Sequence, residues 1–205
     1  MTAQTPTLLS RLVKRFLLAL YAGKGWTFAG SAPQSRKCVI LGAPHTSNWD
    51  FIFFLGAVTK LGIKPSFMGK LSLFRPPLTR FMYDMGGIAV DRRAKDQNYV
   101  EQVADAFAEA DDLALVIAPE GTRGPITAWR SGFYHIALRA GVPIYPAWFS
   151  KKLRRGGIGI GIMPSGDYRA DLKKIAQFYY LHMPDHPKLA VLFREAGILK
   201  GASDA

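Results

Sequence analysis

A histidine and an aspartate five residues apart are the first candidates for chemistry in this chain. His45 follows the apolar run 38–41, which predicts a buried strand, and Ser47 or Asn48 is suited to cap the helix that comes next. His45 then lies in the loop and Asp50 in the first helical turn, so the two side chains can meet. A carboxylate behind an imidazole fixes its tautomer and makes it a better base. The same pair also fits a hydrogen-bonded loop histidine beside a helix-capping aspartate.

Three further segments fall where predicted strands end or begin, at 86–92, 120–123 and 142–146. In open α/β sheets, ligands gather outside the carboxyl ends of the strands. Arg123 offers a planar guanidinium suited to phosphate. Glu120 only accepts hydrogen bonds when ionised, so we expect it to brace an arginine or a backbone amide rather than to touch an anion.

The elements that must position these residues alternate between strand and helix. Strands are predicted at 37–42, 65–68, 87–91, 113–118, 143–149 and 158–163, and helices at 8–21, 48–61, 76–85, 97–110, 131–140, 169–182 and 187–196. Such alternation predicts an α/β fold, a single domain with a central mostly parallel β-sheet flanked by helices. Residues 1–36 form an N-terminal amphipathic helix and lead-in, and 37–205 form the α/β domain.

The composition narrows the classes of partner. The chain has 205 residues and a formal net charge of +12, which favours phosphate-bearing partners such as nucleic acid, anionic lipid headgroups or phosphorylated small molecules. No zinc finger, helix-turn-helix or aromatic RNA-binding motif is present, so we expect no specific nucleic acid. The single cysteine, Cys38, lies in a predicted apolar strand, so we expect a small buried hydrophobic residue rather than a nucleophile. The four histidines are scattered, without metal-ligand spacing.

Two basic segments each permit two interpretations. The helix at 8–21 combines leucines with Arg11, Lys14 and Arg15, so it either lies in a membrane interface or packs its apolar face on the domain. The cluster 151–155 either docks anionic lipid, CoA phosphates or an acidic carrier protein, or forms a solvated loop. No apolar run is long enough for a clear transmembrane span, and no signal peptide is evident.

The ordered segments together resemble the glycerolipid (lysophosphatidic acid-type) acyltransferases. That family shows a His-x4-Asp segment, a Gly-rich strand ending in Arg, a Glu-Gly-Thr-Arg segment and a Val-Pro-Ile-x-Pro segment, matched here at 45–50, 86–92, 120–123 and 142–146. The stretch 70–76 also resembles the family's Lys-x-x-Leu-Phe stretch. The resemblance spans residues 37–150, and four motifs in order carry far more weight than any one of them.

The resemblance implies that His45 is the general base, oriented by Asp50, and that an acceptor hydroxyl attacks the thioester of a fatty acyl donor. The donor would be acyl-CoA or acyl-carrier protein as co-substrate, with no other cofactor, no metal and no covalent acyl-enzyme. The implied acceptor is a lyso-lipid, 1-acylglycerol-3-phosphate. Its phosphate site would be formed by Arg123 with Glu120, Gly121 and Thr122, and Arg92 and Lys70 would add positive charge to this substrate-binding site. A backbone amide within 46–48 is our candidate oxyanion donor.

Departures from the family pattern keep alternatives open. The family often has Ser after the Glu-Gly-Thr-Arg segment, where this chain has Gly124, and an acidic residue where this chain has Ser72. The acceptor is therefore open to a different lyso-lipid, such as a lyso-aminolipid. A non-catalytic lipid-binding protein on the same fold is the alternative from another class. In either case we expect a peripheral location at the cytoplasmic face of a membrane.

Overall fold

A seven-stranded sheet lies at the centre of the fold, in a computed structural model that describes residues 5–23, 25–47, 49–90 and 96–199. The strands are β1 (Thr27–Ala29), β2 (Lys37–Gly42), β3 (Pro65–Lys70), β4 (Gly87–Val90), β5 (Leu113–Ile117), β6 (Ile144–Ser150) and β7 (Arg155–Ile158). Their order is β1-β7-β6-β2-β5-β3-β4, and every pairing is parallel except β6 with β7. The predicted mostly parallel sheet is confirmed.

Helices flank the sheet, as the alternation predicts. They are α1 (Leu8–Ala22), α2 (Trp49–Lys60), α3 (Thr79–Asp84), α4 (Asp96–Glu109), α5 (Gly132–Ala140), α6 (Tyr168–His182) and α7 (Ala190–Glu195), with a 3-10 turn at Leu71–Phe74. The helix predicted at 76–85 begins later, at Thr79. A residue before a proline is pushed out of the helical region, and Pro76 and Pro77 therefore delay the start of α3.

The prediction of a strand at 158–163 is wrong. The strand that forms is β7, which ends at Ile158, and beyond it the chain retains only an isolated bridge between Ile162 and Ile144. Gly156 and Gly157, which precede the predicted strand in the chain, lie inside β7. A side chain on Gly157 would sit 2.8 Å from the indole nitrogen of Trp148, so glycine is what allows the two strands to approach.

β2 occupies the middle of the sheet, between β5 and β6, and it is buried on both faces. Val39 and Leu41 point into the larger core, and Cys38 and Ile40 point into the smaller one on the opposite face. A strand covered on both sides reads as a continuous apolar run, as this one does. The carboxyl end of β2 therefore emerges between two neighbouring strands and among their loops.

The N-terminal helix α1 packs on the domain through Ser10 and Tyr21. The fully covered residues of α1 are Ser10 and Tyr21, and the hydroxyl of Ser10 donates to Asp84 Oδ2 at 2.8 Å. Tyr21 meets α2 at Gly56, where an added methyl group would lie 2.2 Å from its ring. One apolar stripe of α1, formed by Leu8, Leu9, Leu12 and Phe16, is exposed to solvent. Within the described residues, none of the helices has the length and apolar character needed to cross a bilayer.

Candidate active site

Three loops of the candidate site meet because three strands are neighbours. β2 pairs in parallel with both β5 and β6, with Leu41 opposite Ile117. The segments that follow these strands carry His45, Glu120 and Lys151, and they emerge at the same edge of the sheet. The strand order therefore brings together residues that are more than a hundred positions apart in the chain.

His45 and Asp50 form the predicted pair. Nδ1 of His45 lies 3.4 Å from Oδ2 of Asp50, with the His45 side chain 25% exposed and that of Asp50 only 3% exposed. This separation exceeds that of a good hydrogen bond, and such contacts often tighten only when substrate binds. Asp50 stands in the first turn of α2, as expected, where a negative charge suits the helix dipole.

The Asp50 carboxylate is held by more than its own helix. Oδ2 accepts hydrogen bonds from the backbone amides of Thr46 and Ser47, and Oδ1 accepts from the Ser47 hydroxyl at 2.9 Å. The ammonium of Lys151 lies 2.7 Å from Oδ1. Burial alone would raise the pKa of Asp50, but the neighbouring His45 imidazole, the Lys151 ammonium and the two backbone amides outweigh it and hold that pKa well below its usual range. Asp50 is therefore a fixed anion behind the imidazole.

Two of the three backbone amides expected as oxyanion donors are already engaged. The amides of Thr46 and Ser47 both donate to Asp50, so neither is free to stabilise a developing negative charge. The competition is local, because a carboxylate in the first helical turn captures the amides just before it. Asn48, the third residue of that segment, lies outside the described residues.

Glu120 braces a backbone amide, one of the two roles expected for it. Its Oε1 accepts from the N–H of His45 at 2.9 Å, and the residue is only 2% exposed. Burial raises the pKa of Glu120, while the His45 amide and the Lys188 ammonium favour the ionised form. Glu120 thus holds the backbone of His45, and its carboxylate is buried rather than exposed to solvent.

Arg123 and His45 line the same groove. The groove has a volume of about 2150 Å³, and Asp50 and Gly121 also line it. Gly121 has a φ of +66°, in the left-handed region that glycine adopts without strain. Thr122 and Arg123 are exposed. The groove joins a base candidate to a phosphate-binding candidate, which is the arrangement that acyl transfer to a phosphorylated acceptor needs.

The substrate-binding roles expected for Lys70 and Arg92 are not tested by the described residues. Lys70 is exposed at the end of β3 and is not among the described residues that line the groove. Arg92 lies outside the described residues. The substrate-binding role of both residues stays a prediction.

Three basic residues at the site were missed by the sequence reasoning or given another role. Lys151 belonged to a cluster expected to dock phosphate or to lie in solvent, and it instead bonds Asp50, Thr46 and Ser47. Arg130 lines the groove against Gly121, where an added methyl group would lie 2.6 Å from its Nε. Lys188 bonds two site loops from the far C-terminal part of the chain. No local signal marks these residues, because each reaches the site only through folding.

Cys38 is excluded as a nucleophile. It is 1% exposed in β2, and burial, with a smaller contribution from Asp112, raises the pKa of its thiol to about 12. A protonated, covered thiol neither attacks a thioester nor exchanges with solvent.

The fold and groove define a class of protein: an α/β domain with a histidine–carboxylate pair and a cationic segment at the carboxyl edge of a parallel sheet. The chain matches the Acyltransferase family over residues 27–150, and it belongs to that family. The match covers the four motifs and ends where β6 ends.

Relatives and a solved structure agree with this assignment. The 1-acyl-sn-glycerol-3-phosphate acyltransferase of Haemophilus influenzae is 31% identical over 144 residues, which are 66% of this chain and 58% of that protein. The enzyme of the same name from Salmonella typhimurium is 27% identical over 61% of this chain and 55% of its own length. The chain thus spans less than two thirds of these relatives. The crystal structure of the 1-acyl-sn-glycerophosphate (LPA) acyltransferase PlsC from Thermotoga maritima has the same fold, with a TM-score of 0.60, 16% identity and coverage of 87% of this chain and 80% of that one.

Proposed function

We propose that this protein transfers a fatty acyl chain from an acyl thioester to the free hydroxyl of 1-acylglycerol-3-phosphate. The observation that carries the proposal is the His45–Asp50 pair in the groove that Arg123 also lines. The names of the relatives, both 1-acyl-sn-glycerol-3-phosphate acyltransferases, support the same acceptor.

In the proposed reaction His45 accepts the proton of the acceptor hydroxyl as the oxygen attacks the thioester carbonyl carbon. The carbon–oxygen bond forms, the tetrahedral intermediate collapses, and the carbon–sulfur bond breaks. The departing thiolate takes up the proton that His45 holds, so acid and base are restored. Asp50 faces Nδ1 and favours the tautomer whose Nε2 is free to accept a proton.

The phosphate of the acceptor would be bound by Arg123, with Arg130 as a second cation. Arg123 follows the tight turn at Gly121, and Arg130 packs beside that turn. Two guanidinium groups at one rim of the groove provide planar, charge-assisted donors for a phosphate. Their position supports an acceptor with an anionic headgroup over a neutral one.

The acyl donor is proposed to be acyl-CoA or acyl-carrier protein, and the exposed basic cluster supports either. Lys152 and Arg155 are exposed near the end of β6, close to Lys151 at the site. Positive charge at that position attracts the phosphates of CoA or an acidic carrier.

A membrane surface would supply the lyso-lipid, and α1 is the proposed contact. Four apolar residues of the helix, Leu8, Leu9, Leu12 and Phe16, are 54% to 65% exposed, whereas Val13, Leu17, Leu18 and Leu20 are half-buried. Arg11 and Arg15 are exposed on the same helix. An apolar stripe flanked by basic residues suits an interface with anionic headgroups.

The test of the reaction is thiol release from palmitoyl-CoA, and from palmitoyl-carrier protein, over a panel of lyso-lipids. We expect release only with 1-acylglycerol-3-phosphate and its loss in His45→Ala. Thiol release that requires a lyso-aminolipid instead would show that the acceptor is a lyso-aminolipid. Lipid binding without turnover on either donor would favour the non-catalytic alternative.

The membrane contact has its own test. We expect Leu12→Ser/Phe16→Ser to weaken binding to vesicles that contain anionic lipid, with binding of the parent protein weakened by salt. Leu181→Ser is the matched control, because Leu181 is 80% exposed on α6. Equal loss in both variants, or binding indifferent to lipid charge, would contradict the role of α1.

A further inference from the structure

Lys188 connects two loops of the candidate site from outside the region that matches the family. It follows α6 in the chain and directly precedes Leu189, which is fully buried. Its ammonium donates to the carbonyl oxygen of His45 at 2.6 Å and to that of Thr122 at 2.8 Å. These two segments carry the proposed base and the proposed phosphate ligand.

The backbone at His45 is consequently held from both sides. Its N–H donates to Oε1 of Glu120 at 2.9 Å, and its carbonyl accepts from Lys188. The imidazole can rotate about its side-chain bonds, but the Cα from which it extends is fixed. A general base must hold its position within a fraction of an ångström, so this fixation bears directly on rate.

The anchor of Lys188 is itself rigid. Leu189, Leu192 and Phe193 are each 0% exposed in the larger core, and the N–H of Phe193 donates to the carbonyl of Leu189 at 3.0 Å. A lysine beside such an anchor places its ammonium reproducibly. The positive charge of Lys188 also favours the ionised form of Glu120, the buried residue that accepts from the amide of His45.

We propose that Lys188 is a positioning residue of the acyltransferase site, which fixes the spacing between the His45 loop and the Thr122–Arg123 segment. This inference rests on the proposed function for its kinetic consequence, but its structural consequence can be measured without any substrate. Lys188 acts through the two carbonyl groups, and no contact with a reacting atom is assigned to it.

The kinetic test compares Lys188→Met, which keeps the length of the side chain and removes the charge, with Lys173→Met, the same change at an exposed lysine of α6. We expect Lys188→Met to lower kcat about 10- to 100-fold for the acyl transfer, because small displacements of a base cost about that much. Lys188→Arg, which restores a cation with several donors, should recover part of the loss. A purely structural role would lower the melting temperature and leave kcat unchanged at temperatures where the variant is folded.

The second measurement is amide hydrogen exchange of the proteins without substrate. In Lys188→Met we expect the peptides that span 43–50 and 118–124 to exchange about tenfold faster than in the parent protein, as loss of a charge-assisted hydrogen bond implies. Lys173→Met should leave both peptides unchanged. If Lys188→Met does not fold, Lys188→Gln, which keeps one donor without the charge, is used in its place.

The outcomes separate the two proposals. No acyl transfer by the parent protein would refute the proposed function, and the exchange rates would still decide whether Lys188 fixes the two loops. Normal transfer by the parent protein, with Lys188→Met matching Lys173→Met in both kcat and exchange, would refute the positioning role alone.

Discussion

Replacing Asp50 by asparagine isolates the charge of the carboxylate from its shape. The amide nitrogen or oxygen can occupy each carboxylate position, but only one oxygen remains to accept. If that oxygen keeps the amides of Thr46 and Ser47, the amide nitrogen turns toward the Ser47 hydroxyl and the ammonium of Lys151. The ammonium of Lys151 then faces an N–H donor instead of a carboxylate oxygen, and it is repelled.

The cost in stability can be worked from these contacts. A hydrogen bond to a charged group contributes about 1 kcal/mol more than one to a neutral group, so two retained amide bonds lose about 2 kcal/mol together. The Lys151 side chain is 42% exposed and can turn into water, so its ion pair adds at most about 1 kcal/mol. We therefore expect Asp50→Asn to lose about 2–3 kcal/mol in the free energy of unfolding.

The cost in activity is expected to be larger. Without the anion behind it, the imidazole loses both its preferred tautomer and the stabilisation of its protonated form, and kcat should fall about 10²- to 10⁴-fold. Initial rates of thiol release at saturating acceptor measure kcat, and urea unfolding measures stability. Ser47→Ala, which removes one donor to Asp50, is the control and should cost about 1 kcal/mol with little change in kcat.

The result that would refute this reasoning is a stable or mildly destabilised Asp50→Asn variant with the kcat of the parent protein. Asp50 would then be only the residue that holds the start of α2. A double variant with His45→Ala should be no slower than His45→Ala alone, because the carboxylate acts through the imidazole.

Three further outcomes are expected away from the base. Burial opposes ionisation of Asp171, but hydrogen bonds from Lys174 and other donors lower its pKa to about 2. Its contribution to stability is therefore complete above about pH 4 and is lost as the pH falls toward 2. Asp171→Asn should be less stable than the parent protein at pH 6, and its stability should decline less steeply with acid when urea unfolding is measured between pH 2 and 6. Gly86 and Gly62 both have positive φ, but a methyl group on Gly86 would meet a carbonyl oxygen of β3 at 2.3 Å, whereas one on Gly62 would meet nothing within 4 Å. Gly86→Ala should therefore lose at least about 2 kcal/mol more in the free energy of unfolding than Gly62→Ala, and equal melting temperatures would contradict this. Tyr179→Phe removes a hydroxyl that donates to the carbonyl oxygens of Leu41 in β2 and Ala147 in β6 at 3.0 and 3.1 Å. This variant should lose about 1–3 kcal/mol in the free energy of unfolding by urea, whereas unchanged stability would mean that water replaces the hydroxyl.

The sequence by itself determined the features that depend on short spacing. The apolar run of β2 and the capping residues after it place His45 in a loop and Asp50 in the first turn of α2, so their approach follows from six consecutive positions. The acceptor-only chemistry of Glu120 indicated that it would brace an arginine or a backbone amide, and it accepts from the amide of His45. The alternation of elements gave the parallel sheet, because crossovers of that length leave few other arrangements.

Only the tertiary structure decided which distant side chains complete the site. Lys151 reaches Asp50 because β6 lies beside β2, and Lys188 reaches His45 across 143 positions because α7 is buried in the core. The outward direction of the apolar face of α1 was equally undetermined, since an amphipathic pattern fixes two faces but not which one the domain covers. Strand order and helix docking arise from the packing of the whole chain, and no local run of residues encodes them.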